Sequence, residues 1–133
     1  MYYSVTLITK LVRKLYLEMK ITYKNKKAEK RFSIEYQDKW KYPDNVKIQL
    51  VVIRDFITDA ESFQDLAMNR PLRLEKLLGN LKDQWSIRVG NTAYRITLIP
   101  CDDNEVEITS GDILAMATTI KIVEIVEVSN HYE

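Results

Sequence analysis

The sequence predicts an α+β domain, because helical periodicity dominates its first half, period-two alternation follows Gly79, and a β-branched run comes near the end. In this reading an N-terminal strand and two helices pack on a small, mostly antiparallel, twisted sheet. A chain of 133 residues suits one such domain and is short for two. Hydrophobic residues make up 46% and charged residues 29%, with three Gly and three Pro, which excludes collagen-like and low-complexity chains and allows a buried core.

The opening MYYSVTLITKLVRKLYLE is apolar only in short runs broken by Lys10, Arg13 and Lys14, so it fits neither a membrane span nor a signal peptide, and a cytoplasmic location is expected. Met19 offers a second start, after which Ile21 and Tyr23 alternate with polar residues as in a strand. The domain is therefore expected to run over residues 19–133, with residues 1–18 an extension or a start-site artefact. From Lys26 to about Gln37 the spacing of Ala28 and Phe32 among lysines predicts a basic amphipathic helix. Pro43, Asp44 and Asn45 make a break with a ready N-cap, and Val46, Leu50, Ile53 and Ile57 recur at helical spacing beyond it. Ser62 to Met68 reads as a short helix with Ser62 and Asp65 at capping-box spacing, ended by Pro71.

Beyond Gly79 the period becomes two. Trp85, Ile87 and Val89 alternate with Ser86 and Arg88, Gly90 and Asn91 supply residues tolerant of positive φ, and Tyr94, Ile96 and Leu98 alternate with Arg95 and Thr97. This is a hairpin whose alternation sends Arg88 and Arg95 to the same polar side of the sheet. Convergent guanidinium groups suit phosphate; the alternative is that both merely pair with acids on the helices. Asp102 to Thr119 is an acidic excursion, with Ser110, Gly111 and Asp112 forming a turn or cap before Ile113 to Met116. Ile120 to Val128, IKIVEIVEV, suits a central strand.

One cysteine and one histidine exclude an internal disulfide and a Cys/His zinc site. Acidic neighbours should raise the Cys101 thiol and leave it inert. Net charge is +1, yet Lys/Arg outnumber Asp/Glu 12 to 5 over residues 1–47, stand 7 to 6 over 48–100, and 1 to 8 over 101–133. A basic section of this kind attracts polyanions, unless the oppositely charged ends pair with each other on the surface.

The segments LEKLLGNLKDQWSIRVGNTAYRITL, from Leu74 to Leu98, and IVEIVEVSNHYE, from Ile122 to Glu133, resemble the RelE/ParE toxin superfamily, and most of all its HigB, or plasmid-maintenance killer, branch. Leu77, Gly79, Trp85, Ser86, Ile87, Arg88, Tyr94, Arg95, Ile96, His131 and Tyr132 carry the resemblance, which spans residues 19–133. It implies a RelE-like fold and the toxin of a type II toxin-antitoxin pair, a growth-inhibiting endoribonuclease (mRNA interferase) that cuts messenger RNA, usually on the ribosome. It implies no metal and no cofactor. Its chemistry is attack of an RNA 2′-hydroxyl on the adjacent phosphate, which needs a base, cations for the developing charge and an acid for the leaving oxygen. On this resemblance the catalytic residues are Arg88 and Arg95 as phosphate-binding forks, His131 as proton-transfer group and Tyr132 as stacking or proton-sharing group. Lys76, Lys82, Glu75 and Asn130 are the further RNA-binding candidates. Glu75 and Leu78 stand where many relatives carry a histidine and a lysine, so Glu75 is a candidate replacement base, and Asn130, His131 and Tyr132 permute the usual terminal order.

The implied partner is a helix-turn-helix, HigA-like antitoxin, through which alone the pair would touch DNA. Two alternatives remain open in the sequence. ParE-type relatives poison DNA gyrase on the same fold, and a decayed module would only bind its antitoxin.

Overall fold

The computed structural model describes Ile8 and residues 18–33 and 42–130. In chain order these form β1 (Lys20–Tyr23), α1 (Lys26–Arg31), α2 (Asp44–Asp59), α3 (Phe63–Met68), β2 (Glu75–Lys76), β3 (Trp85–Arg88), β4 (Tyr94–Cys101), α4 (Ile113–Met116) and β5 (Ile122–Asn130). The sheet order is β1-β5-β4-β3-β2, with β1 parallel to β5 and the other neighbours antiparallel. This is the mixed α+β architecture expected of a RelE-like toxin. The β-branched run of β5 lies between β1 and β4, where nearly continuous apolar character is needed.

Helix α2 is held by its periodicity: Val46, Leu50, Ile53 and Ile57 are all buried. They join Ile87, Ile96, Leu98, Val123 and Ile125 from one sheet face in a single core. Each such side chain contributes roughly 1.5–3 kcal/mol relative to exposure. Phe63 adds an edge-on contact with Trp85 at 5.5 Å between ring centroids. Opposite the step from Thr97 to Leu98, the pairing skips Val126, a bulge that sharpens the local twist of β5.

Several local expectations are corrected. Among the described residues the first helix ends at Arg31, with Phe32 as its buried C-cap, and the rest of the predicted stretch to Gln37 lies outside the described residues. Ser62 precedes α3 without a side-chain cap; the Asp65 carboxylate instead accepts the Glu61 N–H at 2.8 Å, one residue earlier than a capping box requires. Helix α3 stops at Met68, and Pro71 sits in a separate 3₁₀ turn, Arg70–Leu72, where its missing N–H costs nothing. Glu75 and Lys76, in a stretch to which no element was assigned, form the edge strand β2. Asp112 caps α4 as expected, its Oδ1 accepting the Ala115 N–H at 3.2 Å. No helix among the described residues is long and apolar enough to cross a membrane.

Candidate active site on the polar sheet face

The hairpin that carries both arginines is pinned at its turn. Val89 N–H donates to Tyr94 O at 3.0 Å, Thr92 Oγ1 donates to Val89 O at 2.6 Å, and Tyr94 N–H donates to Thr92 Oγ1 at 3.1 Å. Gly90 takes φ +54, whereas Asn91 does not adopt positive φ. A Cβ at Gly90 would stand 2.9 Å from Cγ of Gln49, a side chain of α2 that would have to shift, so it is the positive φ that calls for glycine here.

Within this frame Arg88 and Arg95 are direct cross-strand partners. The Val89–Tyr94 hydrogen bond makes the adjacent Arg88–Arg95 pair the non-hydrogen-bonded kind, whose Cα atoms approach to about 4.5 Å. Ser129 of β5 pairs with Arg95 on its other side, giving a row of Arg88, Arg95 and Ser129. The next row on the same face is Glu75, Ser86, Thr97 and Glu127. Ser86 and Thr97 are 3% and 6% exposed, so the floor beside the arginines is itself buried. Arg88 Nε donates to Thr92 O at 3.3 Å, which turns its side chain toward the hairpin tip. Among the described residues neither arginine makes an ion pair, so the alternative of structural pairing with helix acids is not what holds them. Two like charges placed opposite each other cost stability, and an anion between them removes that cost.

The other candidates are distributed around this pair. Glu75 is exposed and shares the arginine face one row away. Lys76 is exposed but pairs with Trp85, which puts it on the opposite face. Lys82 is exposed beside the 3₁₀ turn Gly79–Leu81, at the end of β3 away from Arg88. Asn130 ends β5 opposite Tyr94 and is half-buried. His131 and Tyr132 lie outside the described residues. Ser86 and Thr97 fall on the polar side to which the hairpin alternation sends the arginines, whereas Ser129 and Glu127 were not singled out in the sequence; registering the alternation of β5 against that of β4 was the signal that could have found them.

The far end of the same face is acidic. Glu124 pairs with Ile99, and its carboxyl is pushed above the usual carboxylate range by burial and by a hydrogen bond to Glu107. One of its oxygens, Oε1, is buried without a hydrogen-bond partner. Cys101 is buried, and desolvation with Glu124, Glu107 and Asp102 nearby raises its thiol to about 11. A thiol held so high is no nucleophile at neutral pH.

Comparison with known proteins returned a family match: the model of the HigB-like toxin family, described as the RelE-like toxin of the type II toxin-antitoxin system HigB, matches residues 21–112. No curated protein and no solved structure matched the chain.

Proposed function

We propose a reaction for a chain that belongs to the HigB-like family of RelE-like toxins of type II toxin-antitoxin systems: cleavage of messenger RNA on the ribosome, without a metal. Membership makes the chain the toxin of such a pair and implies an antitoxin partner. The observation that carries the reaction is the Arg88–Arg95 pair, direct cross-strand partners on the polar face with no ion-pair partner among the described residues.

In this reaction a base takes the proton of an RNA 2′-hydroxyl, the 2′-oxygen bonds to the adjacent phosphorus, and the bond to the 5′-oxygen breaks. An acid returns a proton to the leaving 5′-oxygen, so that a 2′,3′-cyclic phosphate and a 5′-hydroxyl result. Arg88 and Arg95 donate forked hydrogen bonds to the non-bridging oxygens, where negative charge builds in the transition state. His131, two residues after Ser129 in the chain, moves the proton near neutral pH, and Tyr132 stacks on a base or shares that proton. Glu75, one row from the arginines, is the carboxylate able to act as base in place of the histidine that relatives carry. Asn130 and Lys82 contact RNA outside the reacting phosphate, and Lys76, on the opposite face of the edge strand β2, reaches RNA that passes around that edge. The antitoxin is a helix-turn-helix protein of the HigA kind, the setting is the cytoplasm, and the toxin domain runs over residues 19–133.

Regulated expression of the full chain in a bacterial host, with growth followed beside transcript-end mapping, tests the reading. Growth arrest with new 5′ ends inside coding regions is the expected result. Arrest with intact messages would replace RNA with gyrase as the target, and normal growth with soluble protein would leave only antitoxin binding. In the same assay His131→Ala should abolish arrest at equal expression; undiminished toxicity would remove His131 from the mechanism.

A further inference from the structure

Helix α2 has a second apolar face. At about 100° per residue, Ile48 and Val52 project away from the Val46, Leu50, Ile53 and Ile57 stripe that enters the core. They are 62% and 51% exposed. Half-buried Phe56 stands one helical step beyond Val52 and opens onto a cleft of about 400 Å³ lined by Phe56, Asp59, Ala60, Asp65, Met68 and Asn69. Met68, on α3, is 70% exposed. The result is a continuous apolar track from Ile48 to Met68. Its border is acidic: Asp44 and Asp59 lie on the outer side of α2, Asp65 lines the cleft, and Asp55 on the same side is already ion-paired with Arg54 at 3.2 Å. Lys47 and Arg54 fall on the helix flank instead.

From this track we infer that the outer face of α2 and α3 is the docking surface for the antitoxin, taken up by an amphipathic helix with apolar residues at i and i+4 bordered by Lys or Arg. The inference rests on the family reading for the identity of the partner and on the track for its chemistry. A second copy of this chain does not fit. Face-to-face pairing of two α2 helices would set Asp against Asp, and the basic α1 offers no apolar complement because Ala28 and Phe32 are already buried. The track and the Arg88–Arg95 row lie on opposite sides of the sheet, since the core fills the face that α2 covers and alternation sends the arginines to the other. The bound antitoxin therefore leaves the arginines uncovered.

The test is co-expression of the full chain with its cognate antitoxin, followed by co-purification and affinity measurement. An Ile48→Lys/Val52→Lys variant should bind the antitoxin roughly 100-fold more weakly or worse. It should still arrest growth when expressed alone, which reports that it folds, and the antitoxin should no longer rescue it. Asp44→Asn/Asp59→Asn should weaken the salt dependence of association. Undiminished binding by the lysine variant would overturn the proposal. So would a free chain that is dimeric in sedimentation and turns monomeric on the same substitutions. Arg88→Ala/Arg95→Ala should bind the antitoxin like the parent, so a failure of the RNA-cleavage reading appears in transcript ends while the docking result stands apart from it.

Discussion

One face of the sheet has two ends of opposite character. At the hairpin end Arg88, Arg95 and Ser129 form a row whose cations have no carboxylate partner among the described residues. At the other end Glu124, Glu107 and Cys101 crowd together, and burial raises both the Glu124 carboxyl and the Cys101 thiol. Neither end optimises stability, but they fail in different ways. The cationic end lacks the anions a phosphate would supply, whereas the acidic end gathers carboxyls whose burial and mutual contact disfavour the charged form of Glu124. A polyanion crossing this face is attracted at one end and repelled at the other, which sets where its phosphates can rest.

Removing the cations should have the largest effect. Arg88→Ala and Arg95→Ala should each lower RNA cleavage by roughly 100- to 1000-fold, the loss that follows removal of one preorganised donor. A purified-chain assay on ribosome-bound message checks this, and a nearly parental rate in either variant would move the site elsewhere on the molecule.

Next in size is the acidic end. Glu124 holds its proton more tightly folded than unfolded, so its stabilising contribution is complete below the ordinary value of 4.5 and is lost as pH rises through the raised value. Glu124→Gln should flatten that dependence and raise the thermal midpoint at neutral pH by about 3 °C. Melting curves taken across the acid range read both effects, and an unchanged pH slope would mean that the carboxyl titrates like an exposed one.

A smaller gain is expected where the like charges meet. Arg95→Thr keeps a strand-favouring residue and relieves the opposed pair, so it should stabilise the chain by roughly 0.2–1 kcal/mol while losing cleavage. Chemical denaturation measures it; destabilisation would show that the arginines are structural. Smallest of all is Cys101→Ala, which should leave cleavage unchanged, with the parental thiol resisting disulfide reagents at neutral pH until the chain unfolds.

What could be read from the sequence follows the length over which a pattern repeats. Four apolar residues at helical spacing located α2 and its buried stripe, because that period persists over a long helix. The hairpin alternation brought Arg88 and Arg95 to one side, and the register makes them direct partners. Glu75–Lys76 was invisible as a strand, since two residues carry no period and pairing with β3 alone defines them. The Glu107–Glu124 contact was equally hidden: the two are far apart in sequence and meet only because β5 returns alongside β4. Pro71 signalled a boundary correctly but sits in its own turn beyond the helix end. The outer track on α2 was legible in principle, as Ile48 and Val52 share a helical face, yet only the fold tells which of two apolar faces turns inward.

The parallel pairing of β1 with β5 bears on when the toxin becomes dangerous during its own synthesis. β5 is the latest strand in the chain yet lies between β1 and β4, so a ribosome that has made residues only as far as Thr119 has produced both neighbours with nothing to join them. Arg95 lacks its Ser129 neighbour until then. At about 5–20 residues per second, a few seconds separate the synthesis of β4 from that of Ser129, and until they have passed the row of Arg88, Arg95 and Ser129 is incomplete.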